Sequence, residues 1–391
     1  MNVPFMDLRS MHEEVRAEIE TGWRELVDHS AFVGGPAVEQ FERAFAAYCG
    51  AEHAVGVGSG TDALRIALQA VGVKAGDLVV TVPHSFIATV EAIAQAGANP
   101  AFVDIDPTTY TMDPGLLERY LERDCVVEHG ALVDRRRRRR VTCVLAVDLY
   151  GQPADWTSLL ELAGRFGLKV VEDACQAHGA RLHGRAAGTF GDAAAFSFYP
   201  AKNLGAMGEA GAITTASAAI ADQARLLRFH GQRERYIHVT GEGGNARLDA
   251  MQAVVLSAKL KRLEAWNEAR RRIAGWYRDR LAGQDLVLPV EPAAARHVYH
   301  LYVVLVADRD EVRRRLEEAG VGAGLHYPLP LHLQQAYAQL GHTSGDFPVA
   351  ERVTARCLSL PMFPHLTEEQ VEHVTASLST ALDAVALANS Q

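Results

Sequence analysis

The stretch Ala193-Ala-Ala-Phe-Ser-Phe-Tyr-Pro-Ala-Lys-Asn-Leu-Gly205 places a lysine directly after a short apolar segment. Residues Ala193–Phe198 are apolar except for Ser197, and Pro200 ends the pattern, so we predict a buried strand here. Lys202 then lies on the turn beyond the carboxyl end of that strand. Open α/β sheets bind their ligands at this edge. The stretch therefore predicts both a fold class and the place of a reactive amine.

Similar strand-like runs recur along the first half of the chain. They are Ala54–Ser59, Leu78–Pro83, Pro100–Asp106, Thr142–Leu149, Lys169–Asp173 and Gly211–Thr215. Helix-length amphipathic stretches such as Asp62–Val71 and Ser158–Phe166 separate most of them. This alternation predicts an α/β fold with a mostly parallel seven-stranded sheet that is covered by helices.

The rhythm changes after Leu248. The segment Leu248–Leu281 has no proline, one glycine and apolar residues at helical spacing, which predicts one long connecting helix. We place a domain junction in this helix, with a large domain at 1–265 and a smaller α+β domain at 266–391, and we expect residues 1–30 to pack on the smaller domain. Within that domain we predict a strand at Val298–Val306, a helix at Arg309–Ala319 stopped by Gly320, a short strand to His326, and helices at Val349–Cys357 and Glu368–Leu387.

Composition excludes several classes of protein. The 391 residues are 48% hydrophobic and 22% charged, as in globular proteins, and the formal net charge of −9 gives no general attraction to nucleic acid or an anionic membrane. No apolar run reaches the roughly 18 residues of a membrane span, and the N-terminus lacks a signal layout, so we expect a cytoplasmic protein. The five cysteines are scattered without a CxxC pair, which indicates neither disulfides nor a zinc site.

We interpret the run Arg135–Arg140 as an exposed loop, with an auxiliary phosphate contact as the alternative.

A glycine-rich turn, Gly58-Ser-Gly-Thr-Asp62, joins the first predicted strand to a helix. The free N–H groups at a helix start favour a phosphate, so Gly60 and Thr61 are candidate phosphate ligands. The alternative is an ordinary tight turn in which Ser59 or Thr61 caps the helix. The turn has neither the lysine of a P-loop nor the GxGxxG of a dinucleotide fold.

Asp173 closes the predicted strand Val170-Val-Glu-Asp173. Side chains alternate along a strand, so Asp173 should point into the pocket while Glu172 points away. A carboxylate there can keep a pyridine nitrogen protonated, whereas a helix cap is the alternative role. Burial would make the Lys202 amine neutral and able to bond an aldehyde. The two residues together predict a site for pyridoxal 5′-phosphate (PLP), with Ser197 near its phosphate.

These elements belong to a longer ordered series of motifs. It comprises Gly-Ser-Gly-Thr-Asp-Ala-Leu, Ser-Phe-Ile-Ala-Thr, Asp-Ile-Asp-Pro, Leu-Tyr-Gly-Gln-Pro-Ala-Asp, Val-Glu-Asp-Ala-Cys-Gln-Ala-His-Gly, Phe-Ser-Phe-Tyr-Pro-Ala-Lys-Asn-Leu-Gly, Asn-Ala-Arg-Leu-Asp-Ala-Met-Gln, His-Tyr-Pro-Leu-Pro-Leu-His and Leu-Pro-Met. From about Phe5 to about Leu378 the chain strongly resembles the DegT/DnrJ/EryC1/StrS sugar aminotransferases.

The resemblance implies a fold type I PLP enzyme that works as a homodimer with two sites at the subunit interface. It implies that Gly60, Thr61 and Ser197 hold the phosphate, Asp173 the pyridine nitrogen, Gln176 the ring oxygen and Phe86 the ring face, with Asn245 reaching the phosphate from the partner chain. Related dehydratases carry histidine in place of Lys202, so the lysine favours transamination.

The implied reaction moves an amino group from L-glutamate to a nucleotide-linked keto-hexose. The motifs look most like enzymes that aminate C3 in amino-sugar biosynthesis for antibiotics. A C4 keto-sugar, a cyclitol ketone such as an inosose, and a PLP-binding regulatory protein without turnover are the alternatives. Candidate substrate contacts are Tyr236, Arg247, His326 and Tyr327, each with a structural role as its alternative. Glu209, where aspartate is common, is a departure from the family pattern that bears on the acceptor.

Overall fold

The structure, a computed structural model, describes residues 1–389. The strands are β1 (His53–Val57), β2 (Leu78–Thr81), β3 (Asn99–Phe102), β4 (Cys125–Glu128), β5 (Ala131–Asp134), β6 (Val141–Val147), β7 (Lys169–Asp173), β8 (Arg181–Leu182), β9 (Arg185–Ala186), β10 (Ala193–Ser197), β11 (Gly211–Thr215), β12 (Gln232–Glu234), β13 (Ile237–His238), β14 (Ala295–Arg296), β15 (Tyr302–Leu305) and β16 (Cys357–Leu360). The helices are α1 (Arg9–Glu13), α2 (Arg16–Asp28), α3 (Pro36–Cys49), α4 (Gly60–Ala70), α5 (Ala88–Gln95), α6 (Pro114–Arg119), α7 (Trp156–Phe166), α8 (Ala218–Leu227), α9 (Ala250–Leu260), α10 (Leu263–Leu281), α11 (Arg309–Glu318), α12 (Pro348–Arg356) and α13 (Glu368–Asn389).

A seven-stranded sheet forms the centre of the molecule, in the order β1-β11-β10-β7-β6-β2-β3. The pairs from β10 to β3 are parallel, and β11 runs antiparallel to both of its neighbours. Strands covered on both faces are almost wholly apolar, and β6 and β10 fit this rule. All seven predicted strands are present, so the predicted mostly parallel α/β sheet is confirmed.

Aromatic side chains fix β10 against α3. Phe45 of α3 meets Phe196 and Phe198 edge to face, with ring centroids 4.9 and 5.2 Å apart. All three side chains are fully buried. Burial of one such side chain contributes roughly 1.5–3 kcal/mol, so this contact holds the end of β10, and the residues after it, in one place.

The predicted single helix Leu248–Leu281 is wrong. The chain forms two helices, α9 and α10, with a break at residues 261–262. α9 packs on α2 and α3 beside the sheet, whereas α10 packs on the C-terminal helix α13. The break lets each helix follow a different partner, and neither proline nor glycine marks it in the sequence.

The C-terminal part is an α+β unit around the antiparallel pair β15–β16. The predicted helices there are confirmed, but the predicted strand Val298–Val306 is shorter, and the predicted strand before His326 is reduced to single bridges. Val3 pairs with Val321 in one of these bridges. Residues 1–30, expected to pack on the smaller domain, therefore have contacts in two places. Val3 contacts the C-terminal part, whereas helix α2 lies against α9, where Trp23 Nε1 donates to the Met251 carbonyl at 3.0 Å.

The arginine run follows a hairpin, β4–β5, that the sequence analysis missed. Arg137 pairs with Asp134 at 3.0 Å and Arg138 with Glu128 at 2.8 Å, and most of the run is exposed, as predicted.

Within residues 1–389 the cysteines form no disulfide, and no cluster of possible metal ligands is found. No helix in this part of the chain is long and apolar enough to cross a bilayer.

Candidate active site

A cleft of about 620 Å³ opens at the carboxyl ends of β6, β7 and β10. The predicted residues that line it are Gly60, Thr61, Phe86, Asp173, Gln176, Ser197, Lys202, His326 and Tyr327. Parallel strands end at one edge, so residues distant in sequence meet there. The structure thus brings together nine of the twelve predicted site residues.

Lys202 lies on a loop that closes after β10. Its backbone N–H donates to the Tyr199 carbonyl at 2.8 Å, and Ala206 N–H donates to the Phe198 carbonyl at 2.7 Å. Burial lowers the pKa of the Lys202 amine, opposed by the nearby Cys175 and Asp173. The amine is therefore easier to deprotonate than an exposed lysine, as a nucleophile requires.

Asp173 is 4% exposed and ends β7 as predicted. Its Oδ2 accepts from Thr89 Oγ1 at 2.9 Å, and its Oδ1 accepts from Cys175 N–H at 3.2 Å. Burial raises the pKa of this carboxyl, while hydrogen bonds from Cys175 and Thr89 lower it. A buried carboxylate supported in this way attracts a cationic ring nitrogen.

Sequence reasoning missed the role of Thr89. Its hydroxyl lies 2.8 Å from that of Ser85 and completes a short chain of hydroxyl groups to Asp173. Ser85 precedes the first residue of α5, so helical spacing gives no signal for this pair. The available signal was that the two hydroxyl residues are the ends of the motif Ser-Phe-Ile-Ala-Thr. Phe5, Glu91, Glu209 and His300 also line the cleft without having been predicted to do so.

Glu172 points to the opposite face of the sheet, as predicted. Its carboxylate accepts from Gly188 N–H at 2.7 Å and from Phe190 N–H at 3.1 Å. Asp148 lies beside it, fully buried, with Oδ1 accepting from Trp156 Nε1 at 2.9 Å. Burial and the Glu172 charge raise the pKa of Asp148 well above its usual range. The protonated form of Asp148 is therefore favoured in the folded protein.

Gln176 joins the sheet to the C-terminal part across the cleft. Its Oε1 accepts from Tyr150 N–H at 2.8 Å, and its Nε2 donates to the Tyr327 hydroxyl at 3.1 Å. The Phe86 ring is half-exposed, with its centroid 5.5 Å from that of Tyr327. In this part of the cleft, Gln176 is therefore the polar side chain, and Phe86 and Tyr327 are the aromatic ones.

The anion cradle forms where β1 leads into α4 beside the end of β10. Ser59 caps α4, since its Oγ accepts from Asp62 N–H at 3.1 Å, and the free N–H groups of Gly60 and Thr61 remain at the helix start. A Cβ on Gly60 would lie 2.5 Å from the Cβ of Ser197. Only glycine permits this approach, and the resulting cradle of N–H and O–H donors fits a phosphate group.

Three predicted site residues lie outside the cleft of their own chain. Asn245 pairs with Phe229 in a single bridge, and the Arg247 guanidinium lies 4.5 Å from the centre of the Phe229 ring. Tyr236 is 75% exposed next to β13, on a surface hairpin. The residues that line the cleft therefore do not include these three.

A lysine, a strand-end carboxylate and an anion cradle at one edge of a mostly parallel sheet define an aminotransferase of the fold type I class. The family model of the DegT/DnrJ/EryC1/StrS aminotransferase family matches residues 13–379. The chain belongs to this family.

Similar proteins of known name agree with this assignment. The chain is 43% identical over 95% of its length to dTDP-3-amino-3,4,6-trideoxy-alpha-D-glucose transaminase of Streptomyces venezuelae, covering 94% of that protein. It is 40% identical over 97% of its length to UDP-N-acetyl-3-dehydro-alpha-D-glucosamine 3-aminotransferase of Acidithiobacillus ferrooxidans, covering 98% of it. The crystal structure of DesV from S. venezuelae superposes with a TM-score of 0.90 at 42% identity, over 97% of this chain and 98% of that one.

Proposed function

We propose that the protein is a PLP-dependent aminotransferase that moves the amino group of L-glutamate to the C3 keto group of a nucleotide-linked keto-hexose. The observation that carries this proposal is the presence of Lys202 and Asp173 in one cleft, next to the cradle of Gly60 and Ser197. An amine, an acid and a phosphate site are the three groups that PLP needs.

Each end of the cofactor has a fitting partner in the cleft. Gly60, Thr61 and Ser197 would hold its phosphate through N–H and O–H donors. Gln176 would contact the ring oxygen and Phe86 the ring face. When bound, PLP accepts the amino group of the donor and passes it to the ketone.

The protein's own residues supply the proton chemistry. Lys202, with its lowered pKa, would take the proton from Cα of the amino acid and deliver it to the cofactor carbon. Asp173, supported by Thr89, keeps the ring nitrogen protonated throughout. The acid and the base thus lie on adjacent parallel strands or just beyond them, β7 and β10.

The acceptor is assigned by family likeness. One relative is named for a 3-amino sugar and another for a 3-dehydro sugar, which supports C3 of a nucleotide-linked sugar. A C4 keto-sugar or an inosose would need the same chemistry. His326 and Tyr327 line the cleft and are our proposed contacts for this substrate.

We further propose a cytoplasmic homodimer with shared sites. Asn245, Tyr236 and Arg247 would reach the partner's cleft, because none of them lines the cleft of its own chain. Two inactive variants test this arrangement. Lys202→Ala and Asn245→Ala chains refolded together should recover one working site, and no recovery would refute the placement of Asn245 in the partner's site.

Turnover with glutamate tests the proposed reaction. The PLP-loaded protein should release one 2-oxoglutarate per chain in the absence of an acceptor, and Lys202→Ala should release none, while Lys261→Ala, an exposed control, should match the wild type. Release without Lys202 would refute the assignment, and PLP binding without any release would indicate a regulatory protein. Regeneration of PLP by 3-keto, 4-keto or cyclitol acceptors then decides the substrate.

A further inference from the structure

The loop that carries Lys202 is folded back tightly. Gly205 has no room for a side chain, because a Cβ there would lie 2.2 Å from the Pro200 carbonyl oxygen. Cys175 and Asp173 interact electrostatically with the Lys202 amine, and in the described part of the chain no hydrogen bond holds this amine. The position of the amine therefore depends on how the backbone of the loop is held.

Polar side chains of α9 and α10 hold this loop from behind. Gln252 accepts from Met207 N–H at 2.8 Å and donates to the Met207 carbonyl at 3.1 Å. Lys259 Nζ donates to the Gly205 carbonyl at 2.6 Å. Gln252 and Lys259 are seven residues apart, so they lie on one face of α9. We call the residues Gln252 and Lys259 the α9 clamp.

Asn203 adds a third attachment next to Lys202 itself. It is fully buried, and its Nδ2 donates to Asn267 Oδ1 at 2.8 Å and to the Val298 carbonyl at 3.1 Å. Asn267 in turn donates to the His178 carbonyl at 2.8 Å. The loop is thus attached to both helices of the connecting segment.

Lys259 is the unusual member of the clamp. Its side chain is 1% exposed, and no carboxylate of residues 1–389 forms an ion pair with it, so burial alone lowers its pKa, to about 8. Burying an unpaired ammonium is costly, and a neutral side chain would fill the same space without that cost. A charged donor does give a shorter and stronger hydrogen bond than a neutral one.

We propose that Lys259 is a positioning residue for Lys202. The buried ammonium of Lys259 fixes the Gly205 carbonyl and thereby holds the Lys202 amine in reach of the cofactor aldehyde. The inference rests on the proposed role of Lys202. It assigns a function in the reaction to a residue that touches neither cofactor nor substrate.

Two cofactor forms separate positioning from folding. PLP bonds covalently to a lysine, whereas pyridoxamine phosphate uses the phosphate and ring contacts without that bond. In Lys259→Met, borohydride trapping of PLP at Lys202, followed by peptide mass analysis, should slow by about 10- to 100-fold, as expected for a displaced reactive group. The dissociation constant of pyridoxamine phosphate should change less than threefold, on the order of normal mutational scatter. Amide hydrogen exchange at Ala206 and Met207 should accelerate.

Controls fix the interpretation. Lys261→Met removes an exposed lysine two residues away, paired with Glu18 at 2.6 Å, and should leave trapping and exchange unchanged. Lys259→Arg keeps a charged donor and should restore trapping. If Lys259→Met does not fold, Lys259→Gln, whose side chain is one atom shorter and uncharged, replaces it and should also slow trapping relative to the wild type.

The outcomes that overturn the inference are distinct from failure of the proposed function. Equal weakening of both cofactor forms in the Lys259 variant would make Lys259 a structural residue, and normal trapping would remove it from the reaction. Absence of trapping at Lys202 in the wild type would instead refute the proposed function itself.

Discussion

Substitution of Gly60 by alanine tests the anion cradle directly. The added methyl carbon would lie 2.5 Å from Cβ, 3.0 Å from Oγ and 3.1 Å from Cα of Ser197. The first distance is about 1 Å inside the 3.5–4.0 Å optimum for two carbon atoms. The start of α4 and the end of β10 must therefore separate. Overpacking of this kind typically costs about 1–3 kcal/mol of folding free energy.

The same separation should weaken the hold on a phosphate. A hydrogen bond to a charged group contributes about 1.5–3 kcal/mol. Loss of one such bond from the cradle would raise the dissociation constant of pyridoxamine phosphate by about 10- to 100-fold. Urea denaturation of the cofactor-free protein measures the first effect, and fluorescence titration with pyridoxamine phosphate measures the second.

Gly164→Ala is the matched control. Gly164 lies in α7, is exposed, and has nothing within 4 Å of the position of an added Cβ. There the substitution should stabilise the protein by about 0.5–1 kcal/mol, because alanine favours a helix interior. If Gly60→Ala is as stable as the wild type and binds pyridoxamine phosphate equally well, the close contact with Ser197 does not shape the site.

Three further predictions concern titrating groups. The raised pKa of Asp148 means that the folded state keeps a proton that the unfolded chain loses above its ordinary value of 3.8, so stability falls as pH rises. Asp148→Asn removes this titration and keeps the shape of the side chain. Urea denaturation from pH 4 to 8 should then show a slope smaller by about 1.4 kcal/mol per pH unit between the ordinary pKa and the raised one, and an unchanged slope would contradict the raised pKa. Thr89→Val removes a donor to Asp173 and should raise the pKa of that carboxyl, weakening PLP binding by about 10-fold in equilibrium dialysis, whereas unchanged affinity would exclude this support. PLP trapping at Lys202 should rise with pH to a midpoint below the ordinary 10.5, and a midpoint at or above that value would show an exposed amine.

The features that the sequence predicted are local or periodic. A buried strand requires only a run of apolar residues, and alternation along β7 was enough to place Asp173 in the cleft and Glu172 on the other face. The position of Lys202 on a turn beyond β10 could be predicted because Pro200 and Gly205 flank it.

The features that the sequence did not predict depend on contacts between distant segments. The break between α9 and α10 follows from packing on two different partners. Each strand of the β4–β5 hairpin has only four residues, which is too short for its periodicity to distinguish a strand from the end of a helix. Thr89 was missed because its partner, Asp173, is 84 residues away in the chain. Lys259 looks like an ordinary helix-surface lysine until Gly205 is placed beside it.

The reversed strand β11 has a consequence for how the molecule can change over evolution. It lies between β1 and β10, and a Cβ on its first residue, Gly211, would lie 2.3 Å from the Ser59 carbonyl oxygen and 2.8 Å from that of Phe196. The two halves of the anion cradle, the start of α4 after β1 and the end of β10, are therefore held apart by the backbone pairing of β11 with both strands. Any residue larger than glycine at position 211 would push these two halves apart, so this position tolerates little change if the spacing of the cradle is to be kept.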